Sequence, residues 1–155
     1  MKPVRLIVVG QAKAPYFRDA CVHYLEALRR YLPAEELIVR DGKSADPSRR
    51  KAEEAKAVLG RLLPRDFVVI LDEHGTSLAS RELAGKLRGM IEDPGRAPCF
   101  IIGGAFGLAP AVLAACRHKI SLSPMTFTHE MARVLLMEQL YRADAILRGS
   151  PYHHE

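Results

Sequence analysis

Three short segments combine glycines or polar residues with a preceding apolar run, and they are the first candidates for a functional site. They cover residues 71–75, 102–107 and 121–128, which read LDEHG, IGGAFG and SLSPMTFT. Ligands of open α/β sheets bind at the carboxyl ends of the strands, so segments that directly follow apolar strands are where a ligand is expected. These three segments are therefore the candidate ligand-binding positions.

The glycine turn at residues 102–107 has two interpretations. Gly103 and Gly104 lack side chains, so the backbone there is able to approach a ligand closely or to take positive φ angles. The spacing matches neither GxGxxG nor the GxxxxGK run of a P-loop, which counts against dinucleotide and triphosphate sites. A tight strand-to-helix turn explains the glycines equally well.

Residues 121–128 also have two interpretations. Small polar groups on both sides of Pro124 suit a wall of backbone amides and carbonyls against a flat heterocycle such as adenine. The simpler interpretation is an extended lead-in, in which Thr126 or Thr128 caps the following helix. The residues alone do not decide between the two.

The histidines and cysteines lack metal-ligand spacing. His129 and Glu130 begin an HExxH-like run, but Arg133 occupies the position of the second histidine, which excludes a zinc-protease site. The other five histidines show no ligand pattern either, so we expect no metal site. The cysteines are odd in number, widely spaced and in apolar surroundings, and we expect three reduced core thiols, at Cys21, Cys99 and Cys116.

Glu138 and Arg142 are four residues apart in the orientation of a favourable helical ion pair. That pair is the simplest interpretation of both residues. In the functional alternative, Arg142 meets an anionic or electron-rich part of an RNA substrate, because its permanent charge stabilises negative charge on a base.

The elements that position these residues follow from hydrophobic periodicity. Three runs are almost wholly apolar, as parallel strands covered on both faces are, at residues 4–9, 67–71 and 99–102. Weaker strand candidates lie at residues 36–40 and 118–122. Helical spacing of apolar residues fills the intervals at residues 17–31, 52–62 and 83–91. Alternating strands and helices predict a three-layer α/β domain with a parallel sheet.

The last helix is predicted from about Thr128 to Leu147, and it is apolar on more than one side. Such breadth indicates burial against two surfaces. One would be the sheet, and the other either a second subunit or the chain's own loops.

Length and composition are those of an ordinary globular protein. We expect a single domain over the 155 residues, 48% of which are hydrophobic. Twenty-three Lys and Arg against 18 Asp and Glu give a formal charge of +5, which favours polyanionic partners only weakly. The first apolar run is too short for a signal peptide or a membrane span, so a cytosolic protein without a membrane partner is expected.

Taken together, several short motifs resemble the SPOUT methyltransferases, and specifically the small bacterial 23S rRNA (pseudouridine-N3)-methyltransferases. The resemblance covers essentially the whole chain. Its landmarks are Leu6-Ile7-Val8-Val9-Gly10, Leu71-Asp72, Ile102-Gly103-Gly104 with Gly107-Leu108, Ser121-Leu122-Ser123 with Thr126 and His129, Arg133-Val134, Glu138-Gln139-Leu140-Tyr141-Arg142-Ala143 and Pro151-Tyr152-His153-His154-Glu155. It implies a deep C-terminal trefoil knot, S-adenosylmethionine as cofactor, the ribosome as partner, and a homodimer that completes each catalytic pocket across its interface.

The resemblance also implies roles for individual residues. The cofactor-contacting positions would be Leu71, Gly103, Gly104, Ser123, Pro124, Met125, Thr126, Phe127 and Thr128. Those that hold or polarise the base would be Arg142, His129, Tyr152 and His153. The family usually ends in Tyr-His-Arg-Glu, whereas this chain has His154 in place of the arginine. Methyl transfer from a sulfonium donor is an in-line displacement that needs no metal, and positioning supplies most of the catalysis.

Two other functions are compatible with fewer of these features. A non-enzymatic, ribosome-associated RNA-binding factor would explain the positive charge, but it has no need for an adenosylmethionine pocket. A small nucleotide-dependent oxidoreductase lacks support, because the glycine fingerprint and the acidic residue about 20 positions beyond it are both missing.

Overall fold

Five strands alternate with five helices in the computed structural model, which describes residues 2–154. The strands are β1 Val4–Val9, β2 Ala34–Val39, β3 Asp66–Ser77, β4 Ala97–Ile102 and β5 His118–Ser121. The helices are α1 Pro15–Arg29, α2 Pro47–Leu59, α3 Ser80–Glu92, α4 Pro110–Ala115 and α5 His129–Leu147. Each predicted strand and helix is present, and α4 follows the glycine turn with Pro110 in its first turn, where proline is favoured.

All strand pairs in the sheet are parallel, and the order is β2-β1-β4-β3-β5. Helices α1, α3 and α5 pack on one face, while α2 and α4 pack on the other. Alternate residues of β1 belong to the two cores, with Leu6 and Val8 on the first face and Ile7 and Val9 on the second. This arrangement confirms the predicted three-layer α/β fold with a parallel sheet.

The buried interior contains one ion pair that the sequence analysis did not predict. Arg5 lies in the middle of the apolar β1 run, and its guanidinium contacts the carboxylate of Asp66 at the start of β3. It also donates to the carbonyl oxygen of Arg61 at 2.9 Å. The charges are paired and hydrogen-bonded, which is the condition for burying a charge without a large penalty.

Helix α5 begins where it was predicted, but its second apolar side is covered differently from either expectation. The Thr128 side chain accepts a hydrogen bond from the backbone N–H of Met131, which confirms Thr128 as the N-cap. Leu136 and Met137 are fully buried, and α5 packs between α1 and α3 of the same chain. The breadth of its apolar surface is therefore explained by two neighbouring helices and gives no independent support for a second subunit.

The three cysteines are free and buried, as predicted. Burial raises the pKa of Cys21 to about 11 and that of Cys99 to about 12, so both remain thiols rather than nucleophilic thiolates near neutral pH. We expect no rapid reaction of the native protein with Ellman's reagent at about pH 8, and three equivalents after unfolding in guanidinium. Fast labelling of the native protein would contradict this burial.

Candidate active site

A cavity of about 720 Å³ lies at the carboxyl ends of β4 and β5 and beside residues 71–74 in the middle of β3, the strand between them. The apolar run predicted to end at Leu71 therefore belongs to a longer strand. Every position predicted to contact the cofactor lines it except Pro124, which is exposed between two lining residues. The predicted residues at the cavity are Leu71, Gly103, Gly104, Ser123, Met125, Thr126, Phe127 and Thr128. His129, from the base-holding set, also lies on the wall.

An irregularity in β3 forms one rim of the cavity. Leu71 and Thr76 both pair with Ile120 of β5, so the four residues between them loop out of the sheet. The loop carries Asp72, Glu73 and His74 to the cavity wall. Only Leu71 of this segment was predicted to contact a ligand, because a bulge in the middle of a strand leaves no periodic signal in the sequence.

The glycine turn supplies the opposite rim. Gly103 and Gly104 line the cavity without positive φ angles, and the left-handed conformation is instead taken by Gly107, at φ +77°. A Cβ atom on Gly104 would lie 3.1 Å from Cγ1 of Val9, on β1. A side chain at position 104 would therefore press on the core, so Gly104 is needed for close packing of the turn against β1 as well as for the cavity.

The segment from Ser121 to Thr128 is held in place by its own polar side chains. The Ser121 hydroxyl donates to the carbonyl oxygen of Ser123 at 2.9 Å, and the Ser123 hydroxyl accepts from the backbone N–H of Met125 at 3.0 Å. The Thr126 hydroxyl donates to Glu73 Oε2 at 2.7 Å, which ties this segment to the β3 loop. Residues 121–128 therefore both line the cavity and cap α5 through Thr128.

The cavity presents both signs of charge beside apolar walls. Lys51 from α2 lies on one side, and Asp72 and Glu73 lie on the β3 loop. The apolar wall is formed by Leu71, Ile102, Leu108, Leu113 and Leu122. A ligand with an apolar ring and separate positive and negative groups fits this arrangement.

The other three residues of the base-holding set form a separate cluster at the end of the chain. Glu138 Oε1 accepts from Arg142 Nη2 at 2.6 Å and Nε at 3.0 Å, which confirms the predicted helical ion pair. The same oxygen accepts from the Tyr152 hydroxyl at 3.0 Å, and Arg142 Nη1 lies 3.2 Å from His153 Nδ1. The guanidinium also stacks on the Tyr152 ring, 4.8 Å from its centre. We call Glu138, Arg142, Tyr152 and His153 the tail cluster.

The tail cluster has a defined protonation pattern. The hydrogen bond to Glu138 raises the pKa of Arg142, so this side chain stays cationic. Burial, followed by the hydrogen bond to Glu138, raises the pKa of Tyr152 to about 12, which keeps the phenol neutral. Because a guanidinium only donates, the contact between Arg142 Nη1 and His153 Nδ1 is a hydrogen bond in the tautomer of His153 whose proton is on Nε2. The cluster therefore presents a cation and an N–H donor.

The structure separates His129 from the tail cluster within one chain. His129 begins α5 at the cavity, whereas Arg142 lies thirteen residues further along the same helix, about 20 Å away at the rise of an α-helix. The two parts of the predicted site therefore do not meet in a single subunit. His154 is exposed, and Glu155 lies outside the described residues.

The described residues contain no group of three His, Cys, Asp or Glu side chains placed to hold a metal ion. Over the same range, residues 2–154, no helix is long and apolar enough to cross a membrane.

The fold and the cavity define an α/β protein with a parallel sheet and a cavity large enough for a small ligand. The same fold occurs in a probable methyltransferase from Bordetella pertussis, with a TM-score of 0.56 and 21% identity over 91% of this chain and 93% of that one. A probable methylase family protein from Haemophilus influenzae gives a TM-score of 0.55 at 15% identity, over 98% of this chain and 70% of that one.

The family follows from the sequence comparison. A family model described as a predicted SPOUT methyltransferase matches residues 1–153, and the chain belongs to this family. It is therefore an enzyme, which excludes the non-enzymatic alternative, and like other SPOUT methyltransferases it uses S-adenosylmethionine.

Two curated relatives cover the chain almost completely. The protein named ribosomal RNA large subunit methyltransferase H from Solidesulfovibrio magneticus is 68% identical over 154 residues, 99% of this chain and all of the relative. Its namesake from Nitratidesulfovibrio vulgaris is 49% identical over the full length of both. The specific resemblance stated in the sequence analysis is thereby confirmed.

Proposed function

We propose that this enzyme transfers a methyl group from S-adenosylmethionine to N3 of a pseudouridine in 23S rRNA, on assembled bacterial ribosomes in the cytoplasm. The large-subunit rRNA substrate is supported by the names of the full-length relatives. The pseudouridine and its N3 atom are what the family resemblance implies. The observation that carries the proposal is the cavity between the carboxyl ends of β4 and β5 and the bulge of β3, whose size and chemistry suit the cofactor.

The cavity residues fit each part of the cofactor. The apolar wall suits the adenine, and the backbone groups of residues 102–107 and 121–128 suit its ring nitrogens. Asp72 and Glu73 are complementary to the ammonium and sulfonium charges, and Lys51 to the carboxylate. When bound, S-adenosylmethionine supplies an electrophilic methyl group.

Filling part of the cavity should weaken cofactor binding. Ala132 lies on the cavity wall in the first turns of α5, where its position is held by the helix. We expect Ala132→Phe to weaken S-adenosylmethionine binding by at least about tenfold, because the larger side chain occupies part of a pocket that is shaped for the ligand. Isothermal titration calorimetry measures this effect.

Ala114→Phe, on the exposed side of α4, is the matched control for the same change in size. Its affinity should equal that of the wild type. If both variants kept the wild-type melting temperature and the same affinity for S-adenosylmethionine, this cavity would not be the cofactor site.

The tail cluster is suited to act on the base. The imide N3 must lose its proton before it accepts a methyl group, and a fixed cation nearby stabilises the negative charge that develops on the ring. Arg142 supplies that cation, held by Glu138. His153 offers its Nε2 proton to a ring carbonyl, and Tyr152 offers an aromatic face. His129 would contact the base from the cavity side.

A homodimer would bring the two parts of the site together. The cavity and the tail cluster lie about 20 Å apart on α5 in one chain, so a two-fold partner is the simplest way to place one tail against the other subunit's cavity. Exposed apolar side chains are present near the N-terminal end of α5, among them Met125, Phe127 and Met131. They suit burial in an interface. The deep C-terminal trefoil knot that the resemblance implies belongs to the same proposal.

The deciding experiment is mass spectrometry of 23S rRNA from cells with and without the gene. We expect N3-methylated pseudouridine in the wild type, unmethylated pseudouridine in the deletion strain, and restoration by the intact gene. An unchanged modification profile in the deletion strain would show that the substrate is a different RNA.

A further inference from the structure

A second cavity, of about 500 Å³, lies between α3 and the edge strand β5. Its floor contains the buried core residues Val69, Met90 and Phe100. His74 of the β3 loop lines both this cavity and the cofactor cavity, so the two are neighbours separated only by that loop. We call the second cavity the edge pocket. Nothing in the methyl-transfer mechanism uses it.

Three cations surround the edge pocket. Lys86 lies on α3, Arg117 directly precedes β5, and Lys119 is in β5. Among the described residues none of these three side chains has a carboxylate or hydrogen-bond partner. Asp93 is the single carboxylate on the lining, and its Oδ1 already accepts from the backbone N–H groups of Gly95 and Arg96. The pocket therefore combines an excess of unpaired positive charge with an apolar floor.

An aromatic platform completes the pocket. The rings of His118 and Phe67 are stacked, with centres 4.5 Å apart and an angle of 22° between their planes. Arg96 covers Phe67, with its guanidinium carbon 5.7 Å from the ring centre. His118 is exposed, so its side chain is accessible to a second planar group. Unpaired cations beside an open ring face are the features with which proteins hold single-stranded nucleic acid.

We propose that the edge pocket binds a nucleotide of the RNA substrate next to the target base, with the base stacked on His118 and the phosphates paired with Lys86, Arg117 and Lys119. This inference rests on the proposed function and adds a substrate contact to it. An RNA strand that leaves the cofactor cavity over His74 enters the edge pocket directly, since both cavities share that residue. A single strand is required, because bases in a duplex are already stacked and offer no free face.

The first test removes the charge. The triple variant Lys86→Ala, Arg117→Ala, Lys119→Ala is compared with Arg30→Ala, Arg40→Ala, Lys56→Ala, which loses the same charge at exposed positions away from the β5 edge. The probes are a fluorescein-labelled single-stranded RNA of about ten nucleotides for anisotropy and 70S ribosomes for methylation. We expect the edge-pocket variant to bind the RNA at least about tenfold more weakly. The magnitude of the slope of log K against log salt should decrease by about 1 to 2, because fewer counterions are released on binding when phosphate contacts are lost.

The second test separates stacking from charge. His118→Ala should weaken RNA binding by about tenfold, and His118→Tyr should restore it, because base stacking needs an aromatic face rather than an imidazole. His118→Ala should raise KM for ribosomes, and His118→Tyr should return it to near the wild-type value. S-adenosylmethionine affinity should be unchanged in both variants. A general loss of stability would lower the melting temperature and the cofactor affinity together.

The outcomes distinguish this inference from the proposed function. If both triple variants bind RNA and methylate ribosomes equally well, the edge pocket is not a substrate contact, although the function stands. If only ribosome methylation falls and binding of the RNA oligonucleotide does not, the pocket contacts ribosomal protein and the RNA assignment is wrong. If the wild type fails to methylate ribosomes, the proposed function fails, while the oligonucleotide still reports on the pocket.

Discussion

Truncation after Pro151 should reduce methylation of ribosomes by at least about 10²-fold, the scale expected when groups that position a reacting base are lost. The truncation removes Tyr152 and His153, and it leaves Arg142 paired only with Glu138. Binding of S-adenosylmethionine should change much less, because the lining of the cofactor cavity ends at Ala132. Single-turnover methylation assays and calorimetry on the same protein separate the two effects.

Tyr152→Phe is the control for the truncation. It keeps the ring that lies against the Arg142 guanidinium and meets Tyr141 edge to face, and it removes only the hydroxyl that donates to Glu138. We expect it to retain most of the activity, since the proposed role of Tyr152 is its aromatic face. A truncated enzyme that methylates ribosomes at the wild-type rate would show that the RNA contacts lie outside the tail cluster.

Two inactive variants should restore activity when they are combined in one dimer. Ala132→Phe fills part of the cofactor cavity, and truncation after Pro151 removes the tail, so in the proposed homodimer each variant impairs one half of every shared site. In a heterodimer of that kind, the intact cavity of the truncated subunit would face the intact tail of its partner. We expect about half of the wild-type activity, because one of the two sites of the symmetric dimer is then complete.

The measurement uses heterodimers isolated by two different affinity tags, with light scattering to establish the mass. A tagged wild-type dimer controls for the effect of the tags on the tail. If each site were built from a single chain, the heterodimer would be as inactive as either parent. That result, or a monomeric wild type, would contradict the shared site.

Much of the fold could be predicted because burial on both faces of a parallel sheet leaves a continuous apolar signal. Every residue of β1 and β4 is buried, and both strands are apparent from hydrophobicity alone. The start of helix α5 was predicted correctly at its capping residue, Thr128. Arg5 is the exception, because its partner Asp66 is distant in sequence and a charge in an apolar strand gives no indication of which carboxylate neutralises it.

The candidate site could be predicted only in part. Residues 102–107 and 121–128 were found because parallel strands place their carboxyl ends along one edge. Residues 71–75 were found because they follow an apolar run, although they lie within β3, and the family resemblance assigned residues to the cofactor. The bulge that brings Asp72, Glu73 and His74 to the rim depends on how β3 pairs with β5, and no local pattern encodes that register. The same holds for the edge pocket, which assembles residues from α3, β3 and β5.

The sequence by itself determined the alternation of strands and helices, the positions of the loops that line the cavity, and the family. Tertiary structure decided which surfaces of α5 are buried, since helices α1 and α3 cover Leu136 and Met137. It also decided that the tail cluster lies about 20 Å from the cavity along the same helix. The physical reason is that the periodicity of apolar residues indicates which residues are buried. Distances in space depend on which segments, far apart in sequence, pack against each other.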